Sequence, residues 1–323
     1  MSITNRHTGR SRRTLMRAGA RAARRTLSWA HAQPAAGAIN FCVTGTQSPS
    51  LIFVHGFGCA LEDWDAQVKA LSPKFRCAAL DLPGHGASAT PAQGSIARMA
   101  AAVNEVKQWV GRGGKILIGH SLGCRVILEA YLQSPADVVG LVLVDGSILV
   151  GDPVAGVNRA KEAARAGIGA LTQHLFDDIF PEGSDPAARE RMLARAERVV
   201  PRLRGELFVD MIRWDLTKGR DALKRVAVPL LVLQSTCFNN EFKRVSLQPG
   251  MTTPWMDAIA ASVPNSHAKV VPNAGHFTMI DAPRMVNEEI GKFGAAVAQG
   301  RRQLGNGGRI TSRRQRTRRC HAG

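Results

Sequence analysis

Short runs of apolar residues recur along the first half of the chain, at 39–43, 51–54, 75–80, 116–118 and 138–144, each closing on a turn rich in glycine, aspartate or histidine. Runs this short that are apolar throughout predict strands buried on both faces. Between them, apolar residues spaced three and four apart predict helices near 63–70, 96–110 and 124–133. Strand alternating with helix in this way predicts a mostly parallel central sheet flanked by helices, an α/β fold.

The rhythm stops at about residue 149. From there to 225 the pattern is helical only, at 155–176, 186–199 and 203–216, punctuated by Pro181, Gly183, Pro201 and Gly219. Strand patterns return at 229–234 and 268–271, with helices near 255–261 and 282–297. The expected organisation is an α/β core over 39–148 and 226–298 and a helical cap over 149–225. An arginine-rich arm occupies 1–38 and an arginine-rich tail 299–323; both are expected to be disordered, having few apolar side chains to bury.

Charge changes the picture only once it is located. The formal net charge is +18, but residues 1–31 and 301–323 each hold eight arginines and no acid, so the span between them carries about +2. A near-neutral core, with no aromatic interleaved in the tails apart from Trp29, argues against a specific nucleic-acid reader; weak, salt-sensitive attraction of polyanions is the most the tails imply, and a polyanion-binding protein is the rival reading. Residues 11–17, SRRTLMR, resemble a twin-arginine export signal, yet Arg21, Arg24 and Arg25 interrupt the apolar stretch such a signal needs; a cytoplasmic location is expected, with export as the alternative. No run of 18 apolar residues predicts a membrane-spanning helix. The six cysteines stand singly, without metal-ligand spacing, and read as reduced core thiols; no metal and no cofactor is called for.

The chemistry centres on residues 119–123, Gly-His-Ser-Leu-Gly, which follow an apolar run and open a helical pattern. This is the G-x-S-x-G nucleophile elbow, in which a serine sits on a tight strand-to-helix turn and glycines leave room for it. Three further motifs stand in a telling order: HGFG at 55–58, DLPGHG at 81–86 and AGHF at 274–277. With these, the span 39–298 resembles the α/β-hydrolase superfamily, in its capped serine esterase and lactonase-like branch.

The resemblance implies a Ser–His–acid mechanism without cofactor. Ser121 would be the nucleophile and His276 its base. The backbone N–H groups of Phe57 and Leu122 would bind the oxyanion, with His55, Gly56, Gly58 and His120 in support. The acid is open. The loop after the 229–234 strand, where relatives usually place it, has no aspartate, which leaves Asp145 at the end of the 138–144 strand as first choice and Glu241 as alternative, or an asparagine, Asn239 or Asn240, in place of either. Serine at 121 argues against the aspartyl-nucleophile chemistry of haloalkane dehalogenases and epoxide hydrolases. Ile148, Leu175, Phe176, Phe208, Met211, Ile212, Trp214 and Phe277 are the candidate walls of an apolar pocket. The expected activity is hydrolysis of a small-to-medium apolar carboxylic ester through an acyl-enzyme, with lactone or carbon–carbon-bond hydrolysis as the enzymatic alternative.

Overall fold

Strands that are apolar on both faces need a cover on both, and the chain supplies it. The computed structural model describes residues 30–31, 39–180, 186–238 and 244–306. The strands among them are β1 (Ala30–His31), β2 (Phe41–Thr44), β3 (Ser50–Val54), β4 (Arg76–Leu80), β5 (Lys115–His120), β6 (Val138–Val144), β7 (Leu230–Gln234), β8 (Thr236–Phe238), β9 (Arg244–Ser246) and β10 (Ser266–Val270). Eight of them form one sheet in the order β1-β2-β4-β3-β5-β6-β7-β10, parallel from β4 to β10, while β1 and β2 run antiparallel at one edge.

The period-two alternation of strand side chains sorts the core into two layers. Ile52, Val54, Leu117, Leu141 and Leu143 face one layer. It is closed by α2 (Ile96–Trp109) and α3 (Leu122–Gln133), which follow the short α1 (Asp65–Leu71). Leu51, Phe53, Ile116, Ile118, Val142 and Val144 face the other, against Trp64, Val68 and Leu71 at α1 and Val286 and Ile290 of the last helix. All these strand residues are fully buried.

The helical insertion lies between β6 and β7. It comprises α4 (Pro153–Ile179), α5 (Pro186–Arg198), α6 (Pro201–Trp214), a π-helical turn at Asp215–Gly219 and α7 (Arg220–Lys224). Asp152 caps α4 by accepting from the Ala155 N–H at 2.7 Å, with Pro153 at the first helical position, where its missing N–H costs nothing. Non-helical backbone at Gly167 breaks α4 into two segments. The remaining helices are α8 (Pro254–Ser262), α9 (Thr278–Asp281) and α10 (Pro283–Asn306).

Four details depart from the sequence pattern. Ala30–His31, inside the arm expected to be disordered, pairs with Cys42 and Val43 as an edge strand; edge pairing uses backbone groups and needs no apolar pattern. The final helix continues past Val297 to Asn306, inside the expected tail, because a lone Gly300 does not stop it. The segment after β7 is not simply a loop but the two arms of an antiparallel hairpin, β8 and β9, too short and polar to register as strands. α9, a single turn, escaped the periodicity for the same reason of length. The twin-arginine-like stretch, most of both arginine-rich ends, the side chain of Leu175, and Asn239, Asn240 and Glu241 lie outside the described residues. Among the described residues no helix is long and apolar enough to cross a membrane.

Candidate active site

β5 delivers Ser121 to the C-terminal edge of the sheet and α3 begins at the next residue. Ser121 has φ 53° and ψ −113°, backbone that an L-residue rarely adopts, held by its N–H to the Val144 carbonyl at 3.0 Å. The flanking glycines are sterically required: a Cβ on Gly119 would sit 2.3 Å from the Gly123 carbonyl oxygen, and one on Gly123 would sit 2.4 Å from that of Val54.

His276 arrives on the turn after β10 and faces the serine. Its Nε2 lies 2.9 Å from Ser121 Oγ, and its Nδ1 lies 2.6 Å from Asp145 Oδ2. Nδ1 donates to the carboxylate, which leaves Nε2 as the acceptor of the serine proton. Burial, seconded by the Arg244 charge, pulls His276 down to about 4 against the opposing pull of Asp145, so the imidazole is neutral at pH 7.

Asp145 stands directly after β6 with φ 45°. It is surrounded by donors. Oδ1 accepts from Gln234 Nε2 (3.0 Å) and the backbone N–H groups of Ser235 (2.9 Å) and Thr236 (2.8 Å). Oδ2 accepts from His276, from Thr236 Oγ1 (2.6 Å) and from Arg244 Nη1 (3.3 Å). Burial alone would raise its pKa, but the hydrogen bond and charge of His276, with Arg244 and Thr236, bring it to about 2. The loop after β7 therefore surrounds a carboxylate supplied by its neighbour β6. Apart from His276, sequence reasoning missed these donors, which are backbone N–H groups and the side chains of Gln234, Thr236 and Arg244, with no spacing of their own.

The HGFG turn after β3 borders the same space. His55 donates from Nδ1 to the Gly56 carbonyl (2.7 Å) and accepts the Leu82 N–H at Nε2 (2.9 Å); burial lowers its pKa and keeps it neutral. A trans peptide points its C=O and N–H in opposite directions, so holding the Gly56 carbonyl also orients the Phe57 N–H. Among the described residues neither that N–H nor the Leu122 N–H at the head of α3 meets an acceptor. Gly56 must be small, since a Cβ there would lie 3.1 Å from Ser121 Cβ. His120, pushed to about 3 by burial and by His276, donates from Nε2 to the His276 carbonyl at 2.8 Å and steadies that turn.

Gly58, at φ 70°, is where this turn meets the insertion: a Cβ would lie 2.6 Å from Ala196 Cβ on α5 and 2.9 Å from Phe176 on α4. Beside it Arg195 of α5 binds Asp63 at 2.7 and 3.0 Å.

A cavity of about 330 Å³ opens over Ser121 and His276, between the sheet edge and helices α4 and α6. Phe57, Leu122, Phe176, Phe208, Met211, Ile212 and Phe277 line it. Ile148 and Trp214 do not. Ile148 packs under Gly219, and the Trp214 indole donates to Glu129 Oε2 at 2.9 Å within the core. Helical period alone cannot say which apolar face of α6 meets the core and which the cavity. Among the cavity residues that had not been singled out are three arginines, Arg125, Arg204 and Arg244. Arg125 follows Ser121 by four residues, and Arg204 heads the stripe continued by Phe208 and Met211, so a charged residue in an apolar stripe was the available signal. Cys124 is no rival nucleophile, being buried with its thiol pushed to about 12.

A parallel sheet with an elbow serine on one strand, an acid on the next and a histidine after the last defines the α/β-hydrolase class. The chain belongs to the alpha/beta hydrolase family, whose profile matches residues 51–289. Among relatives, it is 29% identical over 265 residues to the dihydrolipoyllysine-residue acetyltransferase component of an acetoin cleaving system from Pseudomonas putida, covering 78% of this chain and 65% of that one. It is 32% identical over 160 residues to the pimeloyl-[acyl-carrier protein] methyl ester esterase of Methylococcus capsulatus, covering 48% of this chain and 56% of that one. The chain thus spans less than two thirds of the length of these relatives. In fold it matches a thermophilic esterase from Thermogutta terrifontis, with a TM-score of 0.67 at 24% identity over 83% of this chain and 98% of that one.

Proposed function

We propose that the protein is a serine hydrolase that cleaves a small-to-medium carboxylic ester. The observation that carries this reading is the continuous array from Asp145 Oδ2 to His276 Nδ1 (2.6 Å) and from His276 Nε2 to Ser121 Oγ (2.9 Å), opening into a largely apolar cavity. Ser121 Oγ attacks the ester carbonyl as its proton passes to His276 Nε2. The oxygen that gains negative charge is received by the Phe57 and Leu122 N–H groups, donors fixed before the reaction begins. Asp145 holds the imidazole in the required tautomer and balances its charge while it is protonated. The C–O bond then breaks, His276 returns the proton to the departing alcohol, and water releases the acyl group by the same steps. Helices α4–α6 serve as the cap that shields these steps from bulk water. The ester assignment draws support from the named esterase relative, and the apolar walls favour an apolar acyl chain.

The test is turnover of p-nitrophenyl acyl esters. Ser121→Ala and His276→Ala should each lower kcat by about 10³-fold or more, and the double variant should be little worse than either, because the two residues act as a unit. A sulfonyl fluoride should modify Ser121 alone, read by mass spectrometry of the digest. Near-normal turnover by folded Ser121→Ala would refute the acyl-enzyme.

A further inference from the structure

Three guanidinium groups reach the cavity, and two already have a carboxylate. Arg125 grips Asp215 through Nε and Nη2, both at 2.7 Å. Arg244 lies 3.3 Å from Asp145 and 2.7 Å from Thr236 Oγ1. Arg204, on α6, is only 8% exposed, and among the described residues its hydrogen bond goes to a neutral acceptor, Thr172 Oγ1, at 3.3 Å. Its Nε is buried with no acceptor, and among the described residues no carboxylate is within ion-pair distance of it. The Thr172 hydroxyl donates its own proton to the Ile168 carbonyl at 2.7 Å, which leaves its oxygen turned to Arg204.

A guanidinium keeps its charge in proteins, and burying it beside apolar walls is costly unless an anion neutralises it. The fork of Arg204 stands in the wall of the substrate cavity itself, among Leu207, Phe208 and Met211. Asp215 balances Arg125 and Asp145 balances Arg244, so among the described residues lining the cavity Arg204 is the guanidinium without a carboxylate.

We propose that Arg204 is a substrate-binding residue and that the natural ester carries a carboxylate at the end of its acyl chain remote from the scissile carbonyl. This rests on the serine-esterase reading and narrows it. A carboxylate matches the planar fork with two parallel N–H bonds and brings the single negative charge required. A phosphate monoester would bring a second charge into an apolar space with no cation to meet it. The apolar walls take the methylene chain, and Arg204 fixes how far it enters.

The experiment compares mono-p-nitrophenyl esters of adipic and suberic acids with esters of the same length ending in a neutral amide. For the wild-type protein kcat/KM should favour the carboxylate by about tenfold or more, chiefly through KM. In Arg204→Met, which keeps the stem, that preference should fall to near unity, and Arg204→Lys should retain part of it. A residue that only braced the cap would lower both substrates by one factor and leave the preference intact, and that result would overturn the proposal, as would a wild-type protein with no preference. Calorimetry with Ser121→Ala reads the same discrimination without turnover, and competition by suberate monoamide against the wild type covers the case in which Arg204→Met does not fold. Carboxylate preference in binding with no ester hydrolysed would sink the esterase reading and keep the site. Hydrolysis without preference would sink the site alone. An alkyl phosphate that competes better than the equal-length carboxylate would overturn the choice of anion.

Discussion

Asparagine at position 145 would change one oxygen into a donor in a place where every neighbour is already a donor. Six hydrogen bonds converge on the carboxylate, three on each oxygen. If the new NH₂ replaced Oδ1, it would face the Gln234 amide and the N–H groups of Ser235 and Thr236, leaving all three without an acceptor. The amide therefore turns its NH₂ toward His276 and Arg244. His276 Nδ1 must then accept, the ring proton moves to Nε2, and Nε2 presents an N–H to Ser121 Oγ where a lone pair is needed. The expected loss in kcat is about 10³–10⁴-fold, or about 4–5.5 kcal/mol of transition-state stabilisation at 1.36 kcal/mol per tenfold. A separate loss of folding stability, about 1–3 kcal/mol, follows from stranded donors. Stopped-flow acylation with a p-nitrophenyl ester reads the first quantity and urea denaturation the second. Glu241→Gln, prepared alongside, should cost about tenfold or less if Asp145 is the acid. Acylation by folded Asp145→Asn within tenfold of wild type would refute the reasoning, and a collapse in Glu241→Gln alone would move the acid to the loop after β7.

Three further outcomes are expected. The plot of kcat/KM against pH should rise through about 4 as His276 loses its proton and be flat from there toward neutrality; an acidic limb near the ordinary histidine value of 6.5 would contradict the burial of this ring. Stability should weaken in acid over a wider range: His276 (about 4), His120 and His85 (each about 3) bind protons less readily folded than unfolded, where 6.5 applies. Their contribution is complete above 6.5 and is lost as pH falls toward 3, with Asp145 adding a loss as pH falls from 3.8 through about 2, so the urea midpoint should drop steadily below pH 6.5. Arg125→Met strands the fully buried carboxylate of Asp215, leaving it the Leu149 N–H at 3.0 Å, and should destabilise the protein by about 3–5 kcal/mol. Adding Asp215→Leu should recover part of that cost, whereas simple additivity of the two denaturation energies would show that the pair does not act together.

Much of the fold was legible because its signals are local. Leu51 and Phe53 point one way and Ile52 and Val54 the other, so a run apolar at every position announces a strand covered twice. The four motifs lie on turns at the C-terminal ends of β3, β4, β5 and β10, where tight backbone demands glycine, and that demand is visible in one dimension. The acid was less legible. In sequence, Asp145 closes one predicted strand and Glu241 lies in the stretch after another, and what marks out Asp145 is the set of six donors aimed at its carboxylate, two of them backbone N–H groups that sequence does not mark. The pocket was half legible: Phe208, Met211 and Ile212 could be read as walls, but Arg204 on the same helix was passed over and Trp214 turns to Glu129 instead. The edge strand at Ala30–His31 left no trace in the pattern, since its bonds belong to the backbone.

The contact of Gly58 with Ala196 and Phe176 bears on how such enzymes diversify. An insertion between two strands, β6 and β7, looks in outline like an exchangeable module, a part that could be swapped without touching the sheet beneath. Here the module and the turn that presents the Phe57 N–H interlock. A bulkier side chain at 196 would press on a glycine whose φ of 70° no other residue adopts easily, and losing arginine at 195 would leave Asp63 without its partner at the foot of the same turn. A foreign insertion would have to match residues 55–58 in shape, or bring its own version of that turn with it. The two segments, more than a hundred residues apart in the chain, are one steric unit.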